Sequence, residues 1–373
     1  MSGTDRIRFD FLAPTHRVSI ISPLPRERSL DSRFIDDLAY LLPNDLFNSI
    51  SVYAGPYYRS VGTVSSVERS IKKMDIPTCR EYLDKASWSN AVTFIDRICD
   101  DYFRTRSSRT SVEDVMATMD LTTASGQPWS RYGIKKKRDF FSNKEALSYL
   151  FDFRYPPLWK ISPKTEWYHI DDLKENKVRT FIIPPVHFLF HQKIVYQSQN
   201  ESLKDFFWSA YGFNPFDGGT NRMAINLNRN RWKVSYDVSG WDRLLPILDT
   251  VYRMRNRHVH DSVLKVAEYL TYHTINSSLL TPDGLVFFKP HGNNSGSGNT
   301  TPDNILAHFY IAATALFELF DGDESKLWKC VLYLYGDDNA MSIPDFEGVT
   351  PLLIEETFKR AYSWFGLRLD PIS

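Results

Sequence analysis

The stretch WKCVLYLYGDDNAMSI, residues 328–343, reads as two short strands joined by a tight turn. Trp328–Leu334 and Ala340–Ile343 are largely apolar, and Tyr335-Gly336-Asp337-Asp338 between them is a hairpin signal. The turn sets Asp337 and Asp338 side by side. Two adjacent carboxylates repel one another and cannot both be buried unpaired, and a divalent cation that favours hard oxygen ligands removes the conflict. Adjacent acids alone decide nothing, since Asp36-Asp37, Asp100-Asp101 and Asp171-Asp172 also occur and such pairs are ordinarily solvated surface.

A second acidic motif precedes it. RWKVSYDV, residues 231–238, reads as a strand, Ser239-Gly240 break it, and Leu244–His258 continue as a helix. Asp237 ends the strand and is expected to face the hairpin tip; Asp242, after the bend, is expected near a bound sugar. A strand-end carboxylate beside hairpin carboxylates is what a two-metal site requires, one ion activating a 3′-hydroxyl while the other holds a triphosphate and its departing pyrophosphate. The plainer alternative makes Asp242 a helix cap and Asp237 part of a surface turn.

Between these motifs lies SGSGNTTPDN, residues 295–304, with Ser295, Gly296, Thr300 and Asn304 in an S-G-x-x-x-T-x-x-x-N pattern. Glycine lets such a loop approach a ligand closely. Thr300 and Asn304, four apart at the start of a long apolar helix that has Pro302 in its first turn, share a face. Asn304 with Asp242 is suited to sensing a 2′-hydroxyl, which both donates and accepts hydrogen bonds. The plainer alternative is a capping loop with Thr300 as the cap.

Taken in order, Asp237…Asp242, then SGSGNTTPDN, then YGDD resembles motifs A, B and C of the RNA-dependent RNA polymerases of positive-strand RNA viruses, loosely the picornavirus-like and astrovirus-like assemblage. The separations, 58 residues from Asp237 to Ser295 and 42 from Ser295 to Asp337, agree with it. KVRTFIIPP, from Lys177, resembles the basic motif F, and TTASGQPW, from Thr122, resembles motif G beside the template channel, with Ser125, Gly126 and Pro128 matching. The resemblance implies an α+β right-hand fold, its antiparallel palm sheet backed by helices. Residues 1–110 would be an N-terminal fingers extension, 111–230 fingers, and 231–373 palm, with 259–290 as a fingers insertion. It also implies roles: Asp237, Asp337 and Asp338 as ligands of two Mg²⁺ ions, with Mn²⁺ as the alternative. Asp242 and Asn304 would read the ribose, assisted by Ser295 and Thr300, while Lys177 and Arg179 clamp the triphosphate. RNA template and product, nucleoside triphosphates and other viral replication proteins are the implied partners, at replication complexes in the host cytoplasm.

The sequence departs from the family after LRLD, residues 367–370: no motif D lysine follows Leu369, and motif E and a thumb are expected to be missing. A chain without its thumb is expected to elongate poorly. A reverse transcriptase, a non-catalytic RNA-binding scaffold with a polymerase-like palm, and a metal hydrolase using a histidine such as His308 are the competing readings. Against a reverse transcriptase stand Asp242, Asn304 and the glycine of YGDD.

Composition sets outer bounds. With 373 residues, 42% of them hydrophobic and 14% aromatic, the chain can bury a large core. The 45 basic and 45 acidic residues cancel, so any nucleic-acid surface has to be local. Arg131 to Arg179 carries 12 basic against 7 acidic residues, including Lys135, Lys136, Lys137 and Arg138. Three scattered cysteines make neither a disulfide framework nor a zinc site, no 18-residue apolar run occurs, and the N-terminus is too polar for a signal peptide.

Overall fold

From Ile305 to Phe320 nearly every residue is apolar, and a helix of that composition is stable only when surrounded. In the computed structural model, which describes residues 13–18, 32–60, 62–75, 77–175, 177–241 and 246–371, this segment is the central helix Thr300–Leu319. Every residue from Pro302 to Phe317 is buried. Three helices pack on it: Ala86–Phe103, Leu248–Asn256 and Pro351–Ser363. The first buries Trp88, Ala91, Phe94, Ile95, Cys99 and Phe103, the three-and-four spacing of one helical face, and sets Phe94 edge-on to Phe317 with 5.8 Å between centroids.

The strands among the described residues are, in chain order, β1 (Ala13–Arg17), β2 (Ser32–Arg33), β3 (Tyr57–Ser60), β4 (Leu158–Pro163), β5 (Glu166–His169), β6 (Thr180–Ile183) and β7 (Trp232–Val234). They continue with β8 (Tyr236–Ser239), β9 (Ser277–Leu280), β10 (Leu285–Lys289), β11 (Val331–Tyr335), β12 (Asp338–Ile343) and β13 (Arg368–Pro371). They form a five-stranded sheet in the order β1-β10-β9-β4-β6, two three-stranded sheets, β11-β12-β7 and β2-β3-β5, and the pair β13-β8. The α+β class expected from the sequence holds, but the strands are divided among four sheets instead of one.

One local expectation needs correction, and two neighbouring segments have local causes of their own. RWKVSYDV is two strands in different sheets, because the Asn339 side chain intervenes at the break: Tyr236 N–H donates to its Oδ1 (3.1 Å) and its Nδ2 donates to the Tyr236 carbonyl (2.9 Å). The strand in KVRTFII begins only at Thr180, since the preceding backbone closes a turn instead: Lys177 N–H bonds Asp172 O and Arg179 N–H bonds the Tyr168 hydroxyl. The basic segment after Arg131 is two short helices, Lys137–Ser142 and Lys144–Ser148, divided at Asn143, whose side chain caps the second.

Candidate active site

The hairpin β11–β12 closes at the pair Tyr335↔Asp338, leaving Gly336-Asp337 as a two-residue turn. Gly336 has φ +65°, the conformation that such a turn asks of glycine at its first position. Asp337 and Asp338 are both exposed. On the other edge of β12, β7 pairs in the register Met341↔Val234 and Ser342↔Lys233. Beyond that ladder the two side-chain bonds of Asn339 to the Tyr236 backbone take over, joining the residue after Asp338 to the residue before Asp237. Ser235 adds a bond from its hydroxyl to the Asn339 carbonyl at 2.6 Å.

β8 has a second neighbour. β13 pairs with it as Asp370↔Asp237 and Arg368↔Ser239, so these four side chains share one face while Val238 and Leu369 are buried on the other. Asp237 therefore has the carboxylate of Asp370 across from it. Asp370 is already engaged: it accepts from the Ser239 hydroxyl (2.6 Å) and pairs with Arg368 (3.0 Å), which holds its carboxyl below the usual carboxylate range. Asp237 and Asp338 make no ion pair among the described residues. Like charges on facing strands are destabilising unless a cation joins them. Among the described residues no three His, Cys, Asp or Glu side chains, Asp237, Asp337 and Asp338 included, stand grouped so as to hold a metal ion. This donor set of exposed carboxylate oxygens fits Mg²⁺, which keeps several waters and is held through one or two carboxylates plus substrate phosphates.

The loop before the central helix is tied down by buried polar contacts. Ser295 Oγ accepts from the Ile182 N–H on β6 at 3.1 Å, and a Cβ on Gly296 would stand 2.1 Å from the Ile182 carbonyl oxygen. Thr300 is not the cap: Asn299 occupies that position, and the Thr300 hydroxyl donates back to Asn294 O and Ser297 O. Asn304 is buried, and its Oδ1 accepts from Asn293 Nδ2 at 2.9 Å. Gln192, on the helix Val186–Ser202, donates to Ser297 Oγ (2.8 Å) and accepts from Gly298 N–H (3.0 Å). Asp242 lies outside the described residues.

The TTASGQPW loop joins the other end of the same strand. Val186 N–H donates to Ser125 O at 2.8 Å, while Ser125 N–H bonds Lys135 O at 3.0 Å. Gly126 has φ +75°, and a Cβ there would meet the Pro184 carbonyl oxygen at 2.4 Å. Pro128 lines a cleft of about 700 Å³ with Trp129, Tyr132, Tyr149 and Tyr155. Thus β6 and the Pro184-Pro185 step that follows it receive Ser125 and Gly126 from one side and Ser295 and Gly296 from the other. Lys177 and Arg179 stand at the start of this strand and are exposed, Lys177 paired with Glu175 (2.8 Å) and Asp172 (3.6 Å), Arg179 with Glu166 (3.5 Å).

A family profile described as viral RNA-dependent RNA polymerase matches residues 57–362. The chain belongs to that family. Curated relatives are genome polyproteins of plant-named mosaic viruses. That of zucchini yellow mosaic virus (strain Reunion Island) is 26% identical over 339 residues, covering 85% of this chain and 10% of the polyprotein. That of lettuce mosaic virus (strain E) is 25% identical over 283 residues, 70% of this chain and 8% of the polyprotein. Watermelon mosaic virus II (isolate USA) gives 24% over 334 residues, 85% and 32% respectively. The chain therefore spans between 8% and 32% of the length of these relatives.

For a chain of this polymerase family, the structure adds residues that sequence reading passed over. Asn339 follows YGDD directly, and a buried amide next to exposed acids was its only signal. Asn293 and Asn294 form an amide pair just before SGSG. Arg255 and Asp303 form a fully buried ion pair, with Arg255 also donating to Gln199 Oε1 (3.1 Å) and Asn200 Oδ1 (2.6 Å). Asp370 had no pattern of its own, and His308, weighed in the sequence only as a hydrolase histidine, is defined here by Gly336 and Tyr362.

Proposed function

We propose that this chain carries out template-directed RNA synthesis in the replication of a viral genome, joining nucleoside triphosphates to an RNA 3′-hydroxyl with release of pyrophosphate. The observation that carries this reading is the pair of hydrogen bonds between the Asn339 side chain and the Tyr236 backbone, each residue being next in sequence to an acid of the site, Asp338 and Asp237. In this reading residues 111–230 are fingers and 231–373 are palm of a right-hand polymerase, with 1–110 extending the fingers.

Asp237, Asp337 and Asp338 would hold two Mg²⁺ or Mn²⁺ ions. Bound there, the ions supply Lewis-acid activation of the 3′-hydroxyl and charge neutralisation on the phosphates. The protein's own part is positional. Asn339 keeps the two acidic strands in step. Asn304, held by Asn293, would read a ribose 2′-hydroxyl together with Asp242, with Ser295 and Thr300 holding the loop. Lys177 and Arg179, exposed and loosely paired to acids, can exchange those partners for a triphosphate, because surface ion pairs are worth less than about 1 kcal/mol. Ser125, Gly126 and Pro128 border the template path. RNA and nucleotides are the proposed ligands, other viral replication proteins the proposed partners, and the host cytoplasm the proposed location.

The test is primed extension on a hairpin RNA with Mg²⁺ or Mn²⁺, using the polymerase in its full natural length beside Asp337→Ala. Incorporation that needs metal and is lost in the variant supports the reading. Preference for deoxynucleotides would make it a reverse transcriptase, and a folded protein without incorporation would make it a scaffold.

A further inference from the structure

Along the buried central helix runs a polar stripe: Thr300, Asn304 and His308, each four residues from the last and so stacked on one face. The first two end in the loop that precedes the helix. His308 does not. Its Nδ1 lies 2.8 Å from the carbonyl oxygen of Gly336, the residue before Asp337, and its Nε2 lies 2.8 Å from the Tyr362 hydroxyl. A carbonyl only accepts, so Nδ1 carries the proton, and Nε2 accepts from Tyr362. One neutral tautomer satisfies both contacts.

The imidazole thereby touches segments next to both acidic strands of the proposed site. The Trp241 ring, at the end of the bend after β8, lies 4.7 Å from it. Tyr362 sits in the helix Pro351–Ser363, which leads into β13, the strand paired with β8 and Asp237. Gly336 itself is buried, although a Cβ there would meet nothing within 4 Å. A buried histidine with two good bonds is ordinarily a packing residue. This one spends its only N–H on the backbone of the acidic turn, from a position one helical turn beyond Asn304.

We propose that His308 is a positioning residue for nucleotidyl transfer, fixing the Gly336-Asp337 turn relative to the Asn304 face so that metal binding and ribose selection are set together. The inference rests on the polymerase reading above. It predicts that losing the Nδ1 donor loosens both properties at once, whereas a packing role would lower stability alone.

The experiment compares His308→Asn, His308→Leu and Tyr362→Phe in the full-length protein. Three quantities are read: Mn²⁺ affinity by electron paramagnetic resonance of the free ion, the ratio of kcat/KM for a ribonucleotide over its 2′-deoxy form, and the thermal midpoint. His308→Leu should weaken Mn²⁺ binding about tenfold, the scale seen when groups behind a metal ligand are removed. It should lower kcat by roughly tenfold or more, as sub-ångström misplacement does, and reduce ribose discrimination. His308→Asn, whose amide can still donate to Gly336, should recover much of both, and Tyr362→Phe should show a smaller loss of the same two. If the Leu variant does not fold, Asn and Phe carry the comparison through their Mn²⁺ affinity and discrimination. Variants with lowered midpoints but wild-type affinity and discrimination would overturn the inference and leave the polymerase reading standing. A wild type with no metal-dependent incorporation would overturn both.

Discussion

The Asn339 side chain and the Tyr236 backbone exchange two hydrogen bonds, 3.1 Å from the Tyr236 N–H and 2.9 Å to its carbonyl. Each partner is one residue from a carboxylate, Asp338 on one strand and Asp237 on the other. A side chain here does what a ladder pair would do, and frees β8 to turn away and pair with β13. Asn339→Ala would leave both Tyr236 groups buried without partners. The expected cost is about 2–3 kcal/mol in urea unfolding, with metal-dependent incorporation reduced as well. Asn339→Asp should be no better, because a carboxylate cannot donate to the Tyr236 carbonyl. If the Asp variant matched wild type in both assays, the side chain would not be the tie between the strands.

The two glycine motifs make a second prediction, because their reasons differ from those of the turn glycines. Gly296 carries no positive φ, yet a Cβ would lie 2.1 Å from Ile182 O, a backbone atom that cannot swing aside. Gly133, at φ +84°, has open space around it. Gly296→Ala should therefore cost about 3 kcal/mol through displaced backbone, and Gly133→Ala only about 1 kcal/mol through strain. Equal urea midpoints for the two variants would mean that β6 and the loop yield to each other.

How much of this was legible beforehand follows from where the determinants sit. The hairpin turn and the central helix were legible, because each is set by local pattern: a glycine turn between apolar runs, with the first strand starting three residues later than expected, and an unbroken apolar stretch with Pro302 at its start. The division of RWKVSYDV into β7 and β8 was not, since it depends on Asn339, a hundred and three residues away in sequence. The late start of β6 likewise turns on Tyr168 and Asp172. The acids of the site were legible as residues and the glycine loops as motifs. What holds them was not: Asn293, Gln192, His308 and Asp370 act through partners that only the fold brings near.

A third prediction concerns the buried pair behind the Asn304 loop. Arg255 and Asp303 are fully buried, Tyr252 donates to the other Asp303 oxygen at 2.7 Å, and Arg255 lies over the Tyr196 ring at 4.5 Å. Burial pushes the Asp303 carboxyl up, and Arg255 opposes it. Arg255→Met alone should cost about 3–5 kcal/mol by stranding a buried carboxylate. The double variant with Asp303→Leu should regain a large part of that, since paired removal leaves no charge behind. A double variant less stable than either single one would show that Gln199 and Asn200 need the guanidinium as much as Asp303 does.

The last prediction follows from the buried histidines. Burial pushes His308 down to about 4, and His187, which accepts the Trp129 indole N–H at Nδ1 (2.9 Å), likewise to about 4. Both lie below the ordinary histidine value of about 6.5 that the unfolded chain would show. Between those values the unfolded state binds more protons than the folded one, so stability is fully present above about pH 6.5 and is lost as the pH falls toward about 4. For fully buried His308 the loss can reach about 3 kcal/mol. Asp303, raised by burial, works in the opposite sense, and Asp152, held down to about 2 by its hydrogen bonds and charge pairing with Arg154, acts mainly below this window. Comparing wild type with His308→Gln isolates the histidine contribution. Urea unfolding at pH 7, 6 and 5 should show a flatter decline in the variant; parallel declines would mean that burial does not lower the His308 imidazole below its value in the unfolded chain.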